Sequence, residues 1–486
     1  MLYTSQGDSE SAVTSSELPI PSYPTRSLNF LKALPRTGGS AKASCEINNL
    51  SPSSLALNVL VVGAGLGGLA VGIALARKGH AVTIFEQAPQ MGEVGAGIQV
   101  PSNVSRLLLR WGLGPLLDGK VVEPKDISFR RWKNGNVIGY TNLVPHFHDT
   151  FGAPYYVVHR AHLHESMQRL ARELGVRILT ASKVMNYDMD GPSLTLQDGS
   201  TFGGDLIVAA DGINSVSRKT ILDGVDRVPL RTGFAAYRAT VGVEKIREDP
   251  AVSWILEKPG MNVWIGEMRH VMTYTIAGGN SFNMVLSHPE EEDPETWDQG
   301  KALESMKDHF KGWDPALLKL IAMIEKTMKW PLMTGAPIEK WVAPTGKLLM
   351  LGDAAHAMLP YMSQGAAMAV EDAAGLAEAI SMIGSKSQLQ IALNVFETIR
   401  VKRANQMQEA SLINGKLWHF ADGPEQEARD IAMRPEVEGL HFDESPNQWS
   451  DPVTQDWCYG YDAEEAMAKA MSSALAKASL PASVND

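Results

Sequence analysis

Cysteine is nearly absent from this chain. Among 486 residues there are two, Cys45 and Cys458, and no Cys-x-x-Cys pair. That excludes a disulfide scaffold and a thiolate metal site, and makes a reducing compartment the default. Excess positive charge is also missing, since the net charge is -11 at pH 7. A negative protein gains nothing from broad contact with phosphate backbones, so nucleic acid is not an expected partner. A small acidic ligand stays open, because one nearby arginine outweighs a distant field that salt screens. The N-terminal stretch lacks the apolar core of a secretory signal. Asp8, Glu10 and Glu17 argue against a mitochondrial leader, while Arg26, Lys32, Arg36 and Lys42 keep it as the alternative to a cytoplasmic location. One run, residues 55–76, approaches the length of a membrane span. Its closely spaced glycines after a β-branched stretch, and the stop at Arg77, Lys78 and Gly79, make it a buried strand, a tight turn and a helix instead.

What remains is an ordinary globular composition, 44% apolar and 20% charged, in a chain long enough for two or three domains. Residues 1–56 are rich in Ser, Thr, Pro and Gly without a sustained period, and read as a disordered extension. Residues 58–62, 68–78 and 81–86 form a βαβ start, hence a parallel sheet. Residues 163–174 read as a helix, residues 194–197 and 201–202 as a hairpin around Asp198-Gly199, and residues 205–210 as a buried strand. From residue 233 the pattern changes: 235–243, 252–256, 262–267, 271–277 and 282–286 read as consecutive antiparallel strands. Residues 348–351 return to the buried type. Helices are expected over 363–382, 389–419 and 464–478, with an acidic, irregular tail after Phe420. The division that follows is a discontinuous nucleotide-binding part over 57–230 and 335–385, a β-sheet part over 231–334, and a C-terminal helix and tail over 386–486.

Three motifs carry chemistry. In Gly63-Ala64-Gly65-Leu66-Gly67-Gly68, Gly63 permits the turn, Gly65 lets the backbone approach a pyrophosphate, and Gly68 lets the helix pack on the sheet. The helix start offers free N–H groups and a positive dipole end to phosphate. Glu86 ends the next strand, where a carboxylate can accept both hydroxyls of an adenosine ribose. The second and third motifs, Ala210-Asp211-Gly212 and Gly352-Asp353-Ala-Ala-His356, each follow an apolar strand. Further strand ends with Asp beside Gly suit a long dinucleotide, FAD, whose ribityl hydroxyls fit a carboxylate acceptor such as Asp353. Ser363 is a candidate N-cap for the helix after Pro360, with Gly365 permitting close approach. That helix start can stabilise negative charge on a flavin pyrimidine. Glu371 and Asp372, inside the helix, read as surface or capping carboxylates without a catalytic role. His159, His162 and His164 do not share one helical face, so no metal is expected.

These motifs in this order, together with Val94-Gly-Ala-Gly-Ile-Gln99 and His159-Arg160, resemble the single-component FAD-dependent aromatic hydroxylases, the group A flavoprotein monooxygenases. The likeness is above all to fungal salicylate-hydroxylase-like and phenolic polyketide monooxygenases, over about residues 57–420. It implies an α/β fold: an FAD-binding doubly wound parallel sheet, an antiparallel β-sheet substrate domain and a helical C-terminal part. It implies FAD as cofactor, NADH or NADPH as co-substrate, and O2 with a small phenolic or aromatic acid or polyketide as partners. For site residues it implies Glu86 on the ribose, Gly97 near the flavin loop and Arg160 at the phosphates. It further implies Asp211 shared between flavin and NAD(P)H, Asp353 on the ribityl side and Ala366 at the flavin-facing helix start. Arg238 and Tyr274 are the implied catalytic pair, holding a phenolate whose ortho carbon attacks a flavin C4a-hydroperoxide. Trp264 is a further pocket candidate. Where many relatives carry His after the Pro of the third motif, this chain has Tyr361, which removes an imidazole base from that position. A flavin oxidase or dehydrogenase, or a non-catalytic escort protein, are the alternatives on this fold. Oligomeric state is left open.

Overall fold

The computed structural model describes residues 53–92 and 96–478. The expected disordered extension lies outside them up to residue 52, as do Cys45 and Val94-Gly95 of the Val94–Gln99 stretch. The β-branched run Asn58–Val62 is the middle of a five-stranded sheet. Its order is Leu348–Met350, Leu206–Ala209, Asn58–Val62, Ala81–Phe85, Arg177–Leu179, with every pair parallel. Its first four strands are buried apart from Asn58 and Ala81, because helices cover them as a parallel sheet requires, while the edge strand Arg177–Leu179 is half-buried to exposed. Helix Leu66–Arg77 follows the glycine turn, so the 55–76 run is a strand and a 12-residue helix. No helix among the described residues is long and apolar enough to cross a membrane.

The second sheet has seven strands, in the order Met328–Thr334, Leu230–Gly242, Ser281–Pro289, Arg269–Ile276, Met261–Gly266, Asp126–Arg131, Val137–Asn142. All pairs are antiparallel except Met261–Gly266 with Asp126–Arg131, which are parallel. The last two strands come from the stretch that the sequence division assigns to the nucleotide-binding part. Alternation sorts the side chains onto two faces. Tyr237, Trp264, Val271, Met284 and Leu286 face away from the nucleotide-binding sheet and pack on Met306, Leu317 and Leu320 of helices Ala302–His309 and Pro315–Ala322. Ala236, Val263, Met272 and Tyr274 face the other way, toward Leu359, Tyr361, Met368 and Trp418.

Three expectations are corrected. Residues 252–256 are not a strand: Ser253–Leu256 is a 3-10 helix. The apolar alternation misled, because Asp249 accepts from the Ala251 amide at 2.9 Å and its carbonyl from the Ser253 amide, which starts a helical turn. The tail after Phe420 is not irregular: it holds helices Pro424–Ala432, Arg434–Glu438 and Pro452–Tyr459. Asp451 caps the last of these at the Thr454 amide, 2.9 Å. Ser363 is not an N-cap. It takes a left-handed conformation (φ 54°), and helix Gly365–Ser381 starts at Gln364 with no side-chain cap.

Candidate active site

At the glycine turn, the three glycines are required for different reasons. A Cβ on Gly68 falls 1.9 Å from the Gly63 carbonyl oxygen, and one on Gly63 falls 2.4 Å from that of Ala210. These two positions hold the helix against the strand ends. A Cβ on Gly65 meets nothing within 4 Å, so the space beside its backbone is open, as a pyrophosphate needs. Glu86 accepts from the Ala64 and Ala88 amides, each at 2.8 Å, which puts its carboxylate beside the turn. The Asp353 side chain is exposed at the start of the short helix Asp353–His356, free to take a polyol. Ala366 lines one cleft with Leu66, Ile98, Leu163 and Val370, so the starts of the two helices converge. These residues fit an FAD laid across the strand ends. Asp211 is engaged differently: its two oxygens accept from the Tyr187 and Ser217 hydroxyls and from the Val216 and Ser217 amides. It organises the loop into helix Ser217–Ile221. His164, weighed in the sequence only as a metal ligand, is buried and donates through Nε2 to the Ala64 carbonyl at 2.8 Å, tying helix Arg160–Glu173 to the glycine turn.

Because the Gly65 Cβ position is empty and its φ is an ordinary -68°, Gly65→Ala is expected to fold normally and yet lose FAD. Glu86→Ala is expected to lose FAD as well. The ratio of visible to ultraviolet absorbance in the purified proteins reads this directly. Full flavin retention in both variants would contradict the cradle.

Glu371 and Asp372 are not surface or capping carboxylates. Both are fully buried in a charge network. Arg400 donates to Glu371 and to Asp372, each at 2.8 Å. Arg403 holds both oxygens of Glu371 at 2.7 and 2.8 Å. Asn103 donates to Glu371 at 2.7 Å, and His356 Nε2 lies 2.7 Å from Asp372. Asp372 also accepts from the Gly352 amide at 3.2 Å, so the network fixes the backbone just before Asp353. Burial alone would raise both carboxyl pKa values. Arg403 and Arg400 beside Glu371, and His356 and Arg400 beside Asp372, overcome it and hold both low.

On the substrate-sheet side, Gly97 is a contact point. Its amide donates to Asn283 Oδ1 at 2.7 Å, and a Cβ there would lie 2.5 Å from the Tyr274 ring and 2.8 Å from its hydroxyl. Only glycine lets Tyr274 and Asn283 come this close. Tyr274 stands directly opposite Asn283 on the neighbouring strand, and Arg238 sits one diagonal step from Asn283 across the next. Burial lowers the Arg238 pKa, Tyr274 opposes that and the Arg160 charge adds to it. Burial raises the Tyr274 pKa above its ordinary value against the pull of Arg238. Tyr274 is therefore a neutral donor at neutral pH. Trp264 does not belong here: it points to the far face, where its Nε1 donates to Asp314 at 2.8 Å. Tyr237 shares that face, stacked on His288. Asn283 was not singled out in the sequence, although an amide in the middle of Phe-Asn-Met-Val-Leu breaks an apolar run and is the available signal.

The segment after Asp353 is clamped by the long helix Leu389–Trp418. Gln408 donates to the Ala357 carbonyl at 3.0 Å, Ser411 to that of Leu359 at 2.5 Å and Asn414 to that of Tyr361 at 2.6 Å. Three residues spaced by three on one helical face thus fix the loop that carries Tyr361 between the two sheets.

Comparison with known proteins shows the family. The family model described as FAD binding domain matches residues 56–411. The chain is 36% identical over 413 residues to the FAD-dependent monooxygenase OpS4 of Beauveria bassiana (strain ARSEF 2860), covering 84% of this chain and 95% of the relative. It is 31% identical over 424 residues to the 3-hydroxybenzoate 6-hydroxylase of Polaromonas naphthalenivorans (strain CJ2), covering 86% and 100%. Among solved structures, CtdE in complex with FAD and substrate superposes with a TM-score of 0.73 at 25% identity, over 87% of this chain and 100% of that one.

Proposed function

Since the chain belongs to the FAD binding domain family and is an FAD-dependent aromatic monooxygenase, we propose that it hydroxylates a small phenolic or aromatic acid or polyketide, using NADH or NADPH and O2. The observation that carries this reading is the meeting of Tyr274 and Asn283 at Gly97, with Arg238 a diagonal step from Asn283, on the sheet face that looks toward the flavin motifs. FAD, when bound, supplies the reduction and activation of O2. The Gly63–Gly68 turn, Glu86, Arg160, Asp353 and Ala366 are the residues proposed to hold it, with Asp211 shaping the loop beside them.

The chain's own residues then act on the aromatic ring. Arg238 stays charged at neutral pH and favours the anion of a phenol or carboxylic acid placed beside it. Tyr274 donates to the same oxygen. A phenol held between them loses its proton more readily, and the phenolate carries electron density to its ortho carbon, the position to be oxygenated. The relative named for 3-hydroxybenzoate acts on a ring with both a hydroxyl and a carboxylate, and an anionic or ionisable group of that kind suits Arg238 here.

Tyr274→Phe keeps the ring over Gly97 and removes only the donor. It is expected to leave FAD bound, slow oxygen transfer and raise the share of NAD(P)H oxidised to peroxide. The measurement is product formed per NAD(P)H consumed, with peroxide quantified in parallel. Wild-type coupling in the variant would reduce Tyr274 to a wall of the pocket.

A further inference from the structure

Among the described residues, the buried polar atoms without a hydrogen-bond partner on the flavin-facing side of the substrate sheet include Arg238 Nε, Asn283 Nδ2, Ser287 Oγ and Tyr361 Oη. The residues fall into two groups. Arg238 and Asn283 belong to the corner with Tyr274. Ser287 and Tyr361 form a second place. Ser287 stands opposite His270 on one neighbouring strand and Ala236 on the other, one diagonal step from Arg238. Its hydroxyl is close enough to act on the Tyr361 phenol, yet no hydrogen bond of ordinary distance and geometry joins them. Asn283, Ser287 and Tyr361 are all at least nine-tenths buried, and an unsatisfied buried polar group costs about 1–3 kcal/mol. Two hydroxyls left open side by side in such a place call for a ligand acceptor.

The Tyr361 side chain has little freedom to turn elsewhere. His270 and His419 pack edge-on against its ring, each at 5.4 Å, and Trp418 lies at 6.1 Å. Gly415 backs the ring, since a Cβ there would lie 2.3 Å from Tyr361. Asn414 holds its carbonyl. His270 and His419 are hydrogen-bonded to each other at 2.9 Å. Burial keeps the pair neutral, pushing His270 well below its ordinary value and His419 down to about 3. This end of the site therefore offers two hydroxyl donors beside a neutral histidine pair.

We propose that Ser287 and Tyr361 are a second, neutral anchor that binds a carbonyl oxygen of the substrate, so that the preferred substrate is a phenol carrying an acyl group across the ring from the hydroxyl held by Arg238 and Tyr274. Diagonal neighbours on an antiparallel pair lie about 7–8 Å apart, a span that one substituted aromatic ring bridges. With the Arg238 charge engaged by the phenolate and the histidine pair neutral, a ketone or ester oxygen is favoured over a carboxylate at this second place. The inference rests on the aromatic-hydroxylase reading above and names its substrate class.

The test uses the FAD-loaded enzyme with two probes of similar shape, 4-hydroxyacetophenone and 4-ethylphenol, which differ in one carbonyl oxygen. Dissociation constants are read from the flavin absorbance change, and hydroxylated product is measured by mass. Wild type is expected to bind the ketone more tightly, and the ketone-to-ethyl affinity ratio is expected to fall about three- to tenfold in Tyr361→Phe and again in Ser287→Ala. Tyr361→Phe preserves the ring and its aromatic walls, so a ratio change reports the hydroxyl and not a loosened loop. Hydroxylation of both probes with a ratio unchanged in both variants overturns the second anchor while leaving the aromatic reading in place. Hydroxylation of neither probe, and of no other phenol, overturns the aromatic reading itself.

Discussion

Replacing Arg400 with methionine is expected to destabilise the protein by about 3–5 kcal/mol, the cost of stranding one partner of a buried charge network. Arg400 is fully buried between Glu371 and Asp372, with 2.8 Å contacts to both. Without it, Arg403 and Asn103 still serve Glu371, but Asp372 keeps only His356 and the Gly352 amide. Urea unfolding of the flavin-loaded protein measures the loss, and a change below about 1 kcal/mol, the size seen for exposed pairs, would contradict a network of this kind. The same geometry fixes the sign of an acid effect. Both carboxyl groups have folded pKa values below their ordinary ones. Their stabilisation is fully present above the unfolded values of about 4.3 and 3.9 and is lost as pH falls through the depressed folded values. In Arg400→Met the opposing effect of burial is less compensated, so acid unfolding should begin at higher pH than in wild type. Because Asp372 holds the Gly352 amide, flavin should also be released earlier in that titration.

The second large effect is on catalysis. Arg238→Ala removes a charge-assisted contact to an anionic substrate, worth about 1.5–3 kcal/mol, so kcat/KM should fall roughly tenfold to a hundredfold with FAD still bound. Arg238→Lys should recover only part of this, since an ammonium lacks the planar fork that grips an oxyanion from two sides. The loss should be largest for substrates that ionise at neutral pH and smallest for neutral aromatics, which separates a charge role from a packing role. Steady-state rates across phenols of graded acidity make the comparison. Equal losses for all of them would place Arg238 in the scaffold.

The parts of this molecule that were legible in its sequence are those fixed by local chemistry. The β-branched run Asn58–Val62, the glycine turn and the Asp198-Gly199 hairpin each follow from residues adjacent in the chain. So do the long helix and most of the substrate strands. What was misread depended on partners far away. Glu371 and Asp372 look like surface residues until Arg400 and Arg403, 28 and 32 residues further on in the next long helix, fold back onto them. Trp264 has the composition of a pocket residue, and only the strand register and Asp314 send it to the far face. The tail after Phe420 looks irregular because its polar groups find partners elsewhere: Arg106 reaches the Tyr459 and Tyr461 carbonyls, and Arg403 those of Trp457 and Cys458. Asn283 meets Gly97 across 186 residues of chain, a contact no local pattern announces.

The central claim is that this protein places one atom of O2 on a phenolic ring. Incubating the FAD-loaded enzyme with NADH or NADPH, a phenolic ketone or acid and 18-O2 tests it most directly. The account predicts a hydroxylated aromatic product carrying one 18-O atom, with coupling that drops in Tyr274→Phe and Arg238→Ala. Nucleotide oxidation that yields labelled peroxide and leaves every aromatic unlabelled would contradict it, and would make the protein a flavin oxidase on the same fold.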